Sequence, residues 1–151
     1  MIYNAEILSS VEKASKLLLN GKIIVYPTDT LYGFGVDATN TESIIKLNKL
    51  KQREQAYSII VDSLSMLKNY AQLSVDIENK IKSMLPGPIT VILNQLNSNL
   101  SYLVNPGLKT IGVRIPNNQF ILNVVKKINK PIITTSVNIH GEKPLNSIDL
   151  I

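Results

Sequence analysis

The chain has 151 residues, 44% of them hydrophobic and 18% charged, which suits one compact domain able to bury a core. It holds no cysteine and a single histidine, His140, so disulfides, thiolate chemistry and the common Cys/His zinc sites are excluded and any metal is expected to arrive with a substrate. The net charge of +5 favours anionic partners such as nucleotides or RNA without choosing between them, and solvated lysine faces such as Lys126 and Lys127 are the competing explanation. No run of about 18 apolar residues and no basic, apolar leader at Met1 to Leu8 is present, so a soluble cytoplasmic protein with no membrane role is expected.

In chain order, Ser9 with Glu12 reads as a capping box opening a helix through Leu17, Leu18 and Leu19, stopped by Gly21. Lys22 to Tyr26 is a β-branched run that fits a buried strand, and the stretch from Tyr26 to Gly35 reads as a loop. Thr39 with Glu42 predicts a second capping box. The helix that follows carries Ile44, Ile45, Leu47 and Leu50, and places Lys51 and Arg53 at or just past its end. Ser58 to Val61 reads as a strand, Ser63 to Tyr70 as a short helix, and Ser74 with Asp76 as the start of another helix ending before Pro86. Pro86-Gly87-Pro88 is a stiff turn into a strand from Ile89 to Leu93. A strand over Ile111 to Ile115, a helix over Gln119 to Ile128 and a strand over Ile132 to Thr135 complete the pattern. Strands alternating with helices predict an α/β layer with a mixed, largely buried sheet.

The segment Tyr26-Pro-Thr-Asp-Thr-Leu-Tyr-Gly-Phe-Gly35 concentrates hydroxyls, a carboxylate and glycines after a strand, the makings of a polar binding loop or of an ordinary turn. It is neither a Walker A nor a GxGxxG sequence. Asp29 fits a general base or a carboxylate bonding its own loop amides. His140 reads as a loop residue.

Pro27-Thr-Asp-Thr-Leu-Tyr-Gly33, Lys51-Gln-Arg53, Pro86-Gly-Pro-Ile-Thr90, Gly112-Val-Arg-Ile-Pro116 and Ser136-Val-Asn138 with Gly141 stand in the order of the motifs of the YrdC-like family, which the chain resembles over about residues 8 to 149. The resemblance implies a twisted open mixed sheet flanked by helices, with a basic concave cleft, in a single domain spanning 1–151. It also implies an L-threonylcarbamoyladenylate synthase, a nucleotidyltransferase using L-threonine, bicarbonate and ATP with Mg²⁺ for modification of tRNA adenosine 37, alongside the tRNA threonylcarbamoyl-transfer machinery. By resemblance Lys51, Arg53, Ser136 and Asn138 line the cleft, with Lys51 and Arg53 catalytic and all four on ATP, together with Thr110 and Pro144. Thr30, Arg114 and Thr134 take the threonine side. Such chemistry gathers negative charge, which cations offset.

Each assignment has a plain rival: Lys51 and Arg53 complementing a helix C-terminus, Arg114 facing solvent or pairing with a carboxylate, Ser136 and Asn138 forming a turn. The chain departs from the family pattern near Ser58, in the segment after Lys51-Gln-Arg53 where a Pro is usual, and at Asp62, where a His is common. It stops at Ile151, before the Gly-rich segment, Ser-Thr-Val strand and late Arg of the family, as a shortened form, a fragment or a chain of reduced activity. The rival functions are a non-catalytic module holding double-stranded RNA by its phosphates and an inactive scaffold of the same fold. The aromatic content of 5% disfavours base stacking on single strands.

Overall fold

The computed structural model describes residues 2, 4, 8–29, 31–52, 54–138, 143–145 and 147. Helix α1 (Leu8–Leu19) leads into strand β1 (Ile24–Tyr26), followed by β2 (Gly33–Asp37) and α2 (Thr41–Lys51). Then come β3 (Ser58–Ile60), α3 (Leu64–Leu67), α4 (Val75–Lys82), β4 (Val91–Asn94), β5 (Thr110–Arg114), α5 (Gln119–Ile128) and β6 (Ile132–Ser136).

Local chemistry explains the helix ends, and in two places corrects the expectation. The side chain of Asn40, not of Thr39, caps α2 by accepting from the Ser43 amide, because Thr39 is taken up by Asp37, whose Oδ1 accepts from both its amide and its hydroxyl. Ser9 lies inside α1 rather than at its cap, the helix being continuous from Leu8. Ser63, Ser74 and Asn118 cap α3, α4 and α5 in the ordinary way. Helix α1 ends where Gly21 takes a φ of +67°, a left-handed geometry that glycine adopts without strain.

The six strands form one mixed sheet in the order β1-β2-β6-β3-β5-β4. Only β3 and β5 run parallel; the other neighbours are antiparallel. The last strand, β6, therefore sits in the middle, joining β2 to β3. Helices α1 and α5 pack on each other, and α1 and α2 reach the sheet at β2.

Register assigns side chains to faces, since directly paired residues point the same way and successive residues point oppositely. Val36, Ile133, Ile59 and Val113 form one row across four strands, and all are fully buried. The adjacent row, Gly35, Thr134, Ser58 and Gly112, points to the opposite face and is small or hydroxylated throughout. No helix among the described residues is long and apolar enough to cross a membrane.

Strand β2 overturns the expectation of a loop from Tyr26 to Gly35. Its two glycines make room for the ring of Tyr26: a Cβ on Gly35 would lie 2.9 Å from Tyr26 Cε1, and one on Gly33 would lie 3.3 Å from Cζ. The ring, completely buried, covers the strand that sequence alone leaves unrecognised.

Candidate functional site

A cleft of about 250 Å³ opens on the small-residue face, lined chiefly by Thr28, Ser58, Thr90, Arg114, Thr134 and Ser136, with Gly33 and the 31–32 backbone segment at its edge. Its depth comes from the glycines: a Cβ on Gly112 would fall 2.5 Å from Ser58 Oγ and 3.1 Å from Thr90 Cγ2. The β1–β2 connection forms one wall. Thr28 shapes it, its hydroxyl donating to the Leu31 carbonyl at 2.6 Å and accepting from the Leu31 amide at 3.1 Å.

The floor is anchored from beside it, on the same face of the sheet. Tyr26 donates its hydroxyl to Thr134 Oγ1 at 2.8 Å, fixing a threonine that faces the cleft. Burial pushes the Tyr26 hydroxyl far above its ordinary value of 10.0, against the opposing effect of the Thr134 hydrogen bond, so it stays a neutral donor.

At the end of β6 a second network forms. Lys51, the last residue of α2, is fully buried; its Nζ donates to the Ser136 carbonyl at 2.7 Å, the Asn138 carbonyl at 3.1 Å and Asn138 Oδ1 at 3.1 Å. Ser136 Oγ donates to the same Asn138 Oδ1 at 2.6 Å, and the Lys51 ammonium lies 5.8 Å from the Phe34 ring centroid. Thus Lys51 neither faces solvent nor merely complements its helix: it ties the end of α2 to the turn that presents Ser136. The backbone continues this bracing, with the Val137 amide donating to the Tyr32 carbonyl and the Leu145 amide to the Val137 carbonyl.

Arg114, at the end of β5, is the one charged side chain among the described lining residues. Its Nη2 meets Asp29 Oδ1 at 2.9 Å, and Asp29 Oδ2 accepts from the Asn117 amide at 3.2 Å. Asp29 thus bonds outside its own loop.

The structure therefore brings Arg114, Thr134 and Ser136 to one cleft and sets Lys51 and Asn138 directly behind Ser136. Thr110 shares the face of β5 but stands four residues before Arg114, about 13 Å along the strand, where its carbonyl accepts from Asn105; it is not among the lining residues. Pro144 is exposed and also outside the lining. Thr30, Arg53, His140 and Gly141 lie outside the described residues. Asp62 accepts from the hydroxyl of Ser63 at 2.6 Å, beside the cap of α3, and does not line the cleft. The hydroxyls of Thr28, Ser58 and Thr90 are lining groups that sequence reasoning did not single out; the signal for Ser58 was a polar residue opening a buried β-branched run. Among the described residues no cluster of three His, Asp or Glu side chains is placed to hold a metal.

With this geometry in view, the similarities to known proteins are specific. The solved structure of P. abyssi Sua5 complexed with L-threonine superimposes with a TM-score of 0.83 at 23% identity, covering 95% of this chain and 42% of that one. This defines the fold as that of a Sua5-type α/β domain, and the chain spans less than half of that protein. The model of the Sua5/YciO/YrdC domain, described as "Telomere recombination", matches residues 16–151. The threonylcarbamoyl-AMP synthase of Hydrogenovibrio crunogenus is 28% identical over 148 residues, 94% of this chain and 79% of the relative. That of Enterobacter sp. is 30% identical over 142 residues, 91% of this chain and 74% of the relative. The chain belongs to the Sua5/YciO/YrdC family.

Proposed function

We propose that this chain condenses L-threonine, bicarbonate and ATP into threonylcarbamoyl-AMP and pyrophosphate, for transfer to adenosine 37 of tRNA by further enzymes in the cytoplasm. The observation that carries the reading is the assembly of one cleft from separated motifs, with Arg114, Thr134 and Ser136 facing it and Lys51 and Asn138 bracing Ser136. Membership of a family containing threonylcarbamoyl-AMP synthases similar over most of their length supports the same reaction.

The chemistry assigns the parts. The threonine nitrogen bonds to the bicarbonate carbon as water leaves, giving a carbamate. A carbamate oxygen then bonds to the α-phosphorus of ATP while the bond to the β-phosphate oxygen breaks, releasing pyrophosphate. Arg114 offers a planar guanidinium to the amino acid's carboxylate, with Thr30 and Thr134 on the same side. Arg53 takes the nucleotide phosphates, joined by Ser136 and Asn138. Lys51 contributes catalytically by fixing these two and holding its amine beneath them. Thr110 and Pro144 extend the nucleotide side. Mg²⁺ enters with ATP, held by the phosphates. A lining rich in hydroxyls, whose one cation among the described residues is already paired, suits a small polar substrate better than the phosphate-tracking surface of an RNA-binding module.

The test is pyrophosphate release from ATP by this chain, with and without L-threonine and bicarbonate. Release that needs both is expected; release indifferent to threonine overturns the reading.

A further inference from the structure

Asp29 is the one carboxylate among the described residues that pairs with a side chain lining the cleft, and the reaction above leaves it without a task. Its side chain and that of Arg114 are only 12% and 15% exposed, so the pair is shielded from the solvent that weakens surface ion pairs. Both carboxylate oxygens are used: Oδ1 on Arg114 Nη2 at 2.9 Å and Oδ2 on the Asn117 amide at 3.2 Å. The backbone of β5 fixes only the Arg114 Cα, whereas the guanidinium sits at the end of a long side chain with much rotamer freedom to lose. Among the described residues the buried Arg114 Nε finds no hydrogen-bond partner, so Asp29 is the group there that orients the fork.

We propose that Asp29 is a positioning residue for the amino-acid side of the cleft: a two-ended clamp that aims the Arg114 guanidinium and fastens the β1–β2 wall to the start of α5. The inference rests on the threonine reading of Arg114 given above. A carboxylate near an arginine could instead be an internal rival that substrate must displace. Two features favour the clamp. Asp29 takes a single nitrogen of the fork, and its second oxygen is committed to a backbone amide that no substrate replaces.

The experiment compares the wild type with Asp29→Ala and Asp29→Asn in two ways. In threonine- and ATP-dependent pyrophosphate release, Asp29→Ala should raise the KM for threonine about tenfold or more, as loss of a charge-assisted contact does, with the KM for ATP changed less than about twofold. Asp29→Asn keeps one acceptor oxygen for Arg114 but turns an amide NH₂ toward the Asn117 amide, and should fall between. A lower KM for threonine in Asp29→Ala would reveal a displaced competitor, and equal rises in both KM values a general loss of structure; either overturns the clamp. The second readout needs no turnover. The chain has two arginines, Arg53 and Arg114, so ¹⁵N-arginine labelling gives two Nε–H resonances, assigned through Arg114→Lys. The Arg114 signal should move toward that of free arginine in Asp29→Ala, and an unmoved signal overturns the clamp. Absence of threonine-dependent release in the wild type would sink the proposed reaction alone, while the resonance would still decide the role of Asp29.

Discussion

Two neighbouring rows of the same sheet have opposite fates. Val36, Ile133, Ile59 and Val113 are each fully buried, and each contributes about 1.5–3 kcal/mol by leaving water. One residue along each strand, Gly35, Thr134, Ser58 and Gly112 face the other way, and three of them stay partly open. The strands are common to both rows, so the difference lies wholly in side chains. Stability is concentrated in one row and recognition in the other, and the two should be separable by substitution.

The strongest test of that separation is Ile133→Ala. Removing three buried carbons from the centre of the sheet should cost about 2–5 kcal/mol in denaturant unfolding, and a cost under about 1 kcal/mol would deny this row its role. Arg114→Ala should do the reverse. The KM for threonine should rise by tenfold or more, or turnover disappear, while the unfolding midpoint changes little. Gly112→Ala probes the packing within the cleft row, since the new methyl meets Ser58 Oγ. We expect a loss of about 1–3 kcal/mol, part of it recovered in the Ser58→Ala, Gly112→Ala double variant, as a mutant cycle would register.

The smallest effect concerns Tyr26, which lies on the cleft face and braces it by donating to Thr134. Tyr26→Phe should cost about 0.5–1.5 kcal/mol. Because the folded hydroxyl is held above its ordinary value of 10.0 by burial, the unfolded chain loses this proton first. Its contribution is therefore full below about pH 10 and declines as pH rises further. Unfolding followed above pH 10 should show a shallower alkaline loss in Tyr26→Phe than in wild type; identical slopes would contradict the buried, neutral hydroxyl.

Much of this was legible in the sequence, unevenly. Helix α5 was readable to the residue, since Ile121, Val124, Val125 and Ile128 recur at helical spacing and all are buried. Strand β2 was hidden because its glycines lower strand propensity, and what makes it a strand is its pairing with β1 and with β6, the latter far beyond any local window. The cap of α2 moved from Thr39 to Asn40 because Asp37, held by Lys130 at 2.7 Å, claims Thr39. In the site, Arg114 and Ser136 were found through their motifs. The burial of Lys51 beneath Ser136 was not, because a basic residue in a last helical turn ordinarily signals solvent and dipole. The Asp29 to Arg114 pairing joins residues 85 positions apart, beyond the reach of any periodicity. Ser58 became a lining group through its pairing with Thr134 and Gly112, and Thr28 and Thr90 through the tertiary placement of the segments beside β1 and β4.

The place of β6 between β2 and β3 has a consequence for synthesis on the ribosome. Until residues 132–136 emerge, the nascent chain holds two unjoined half-sheets, β1 with β2 and β3 with β5 and β4. Both present bare inner edges able to pair with other chains. The strand that closes this gap also carries Thr134 and Ser136, so the cleft comes into being in the same late step that ends the hazard.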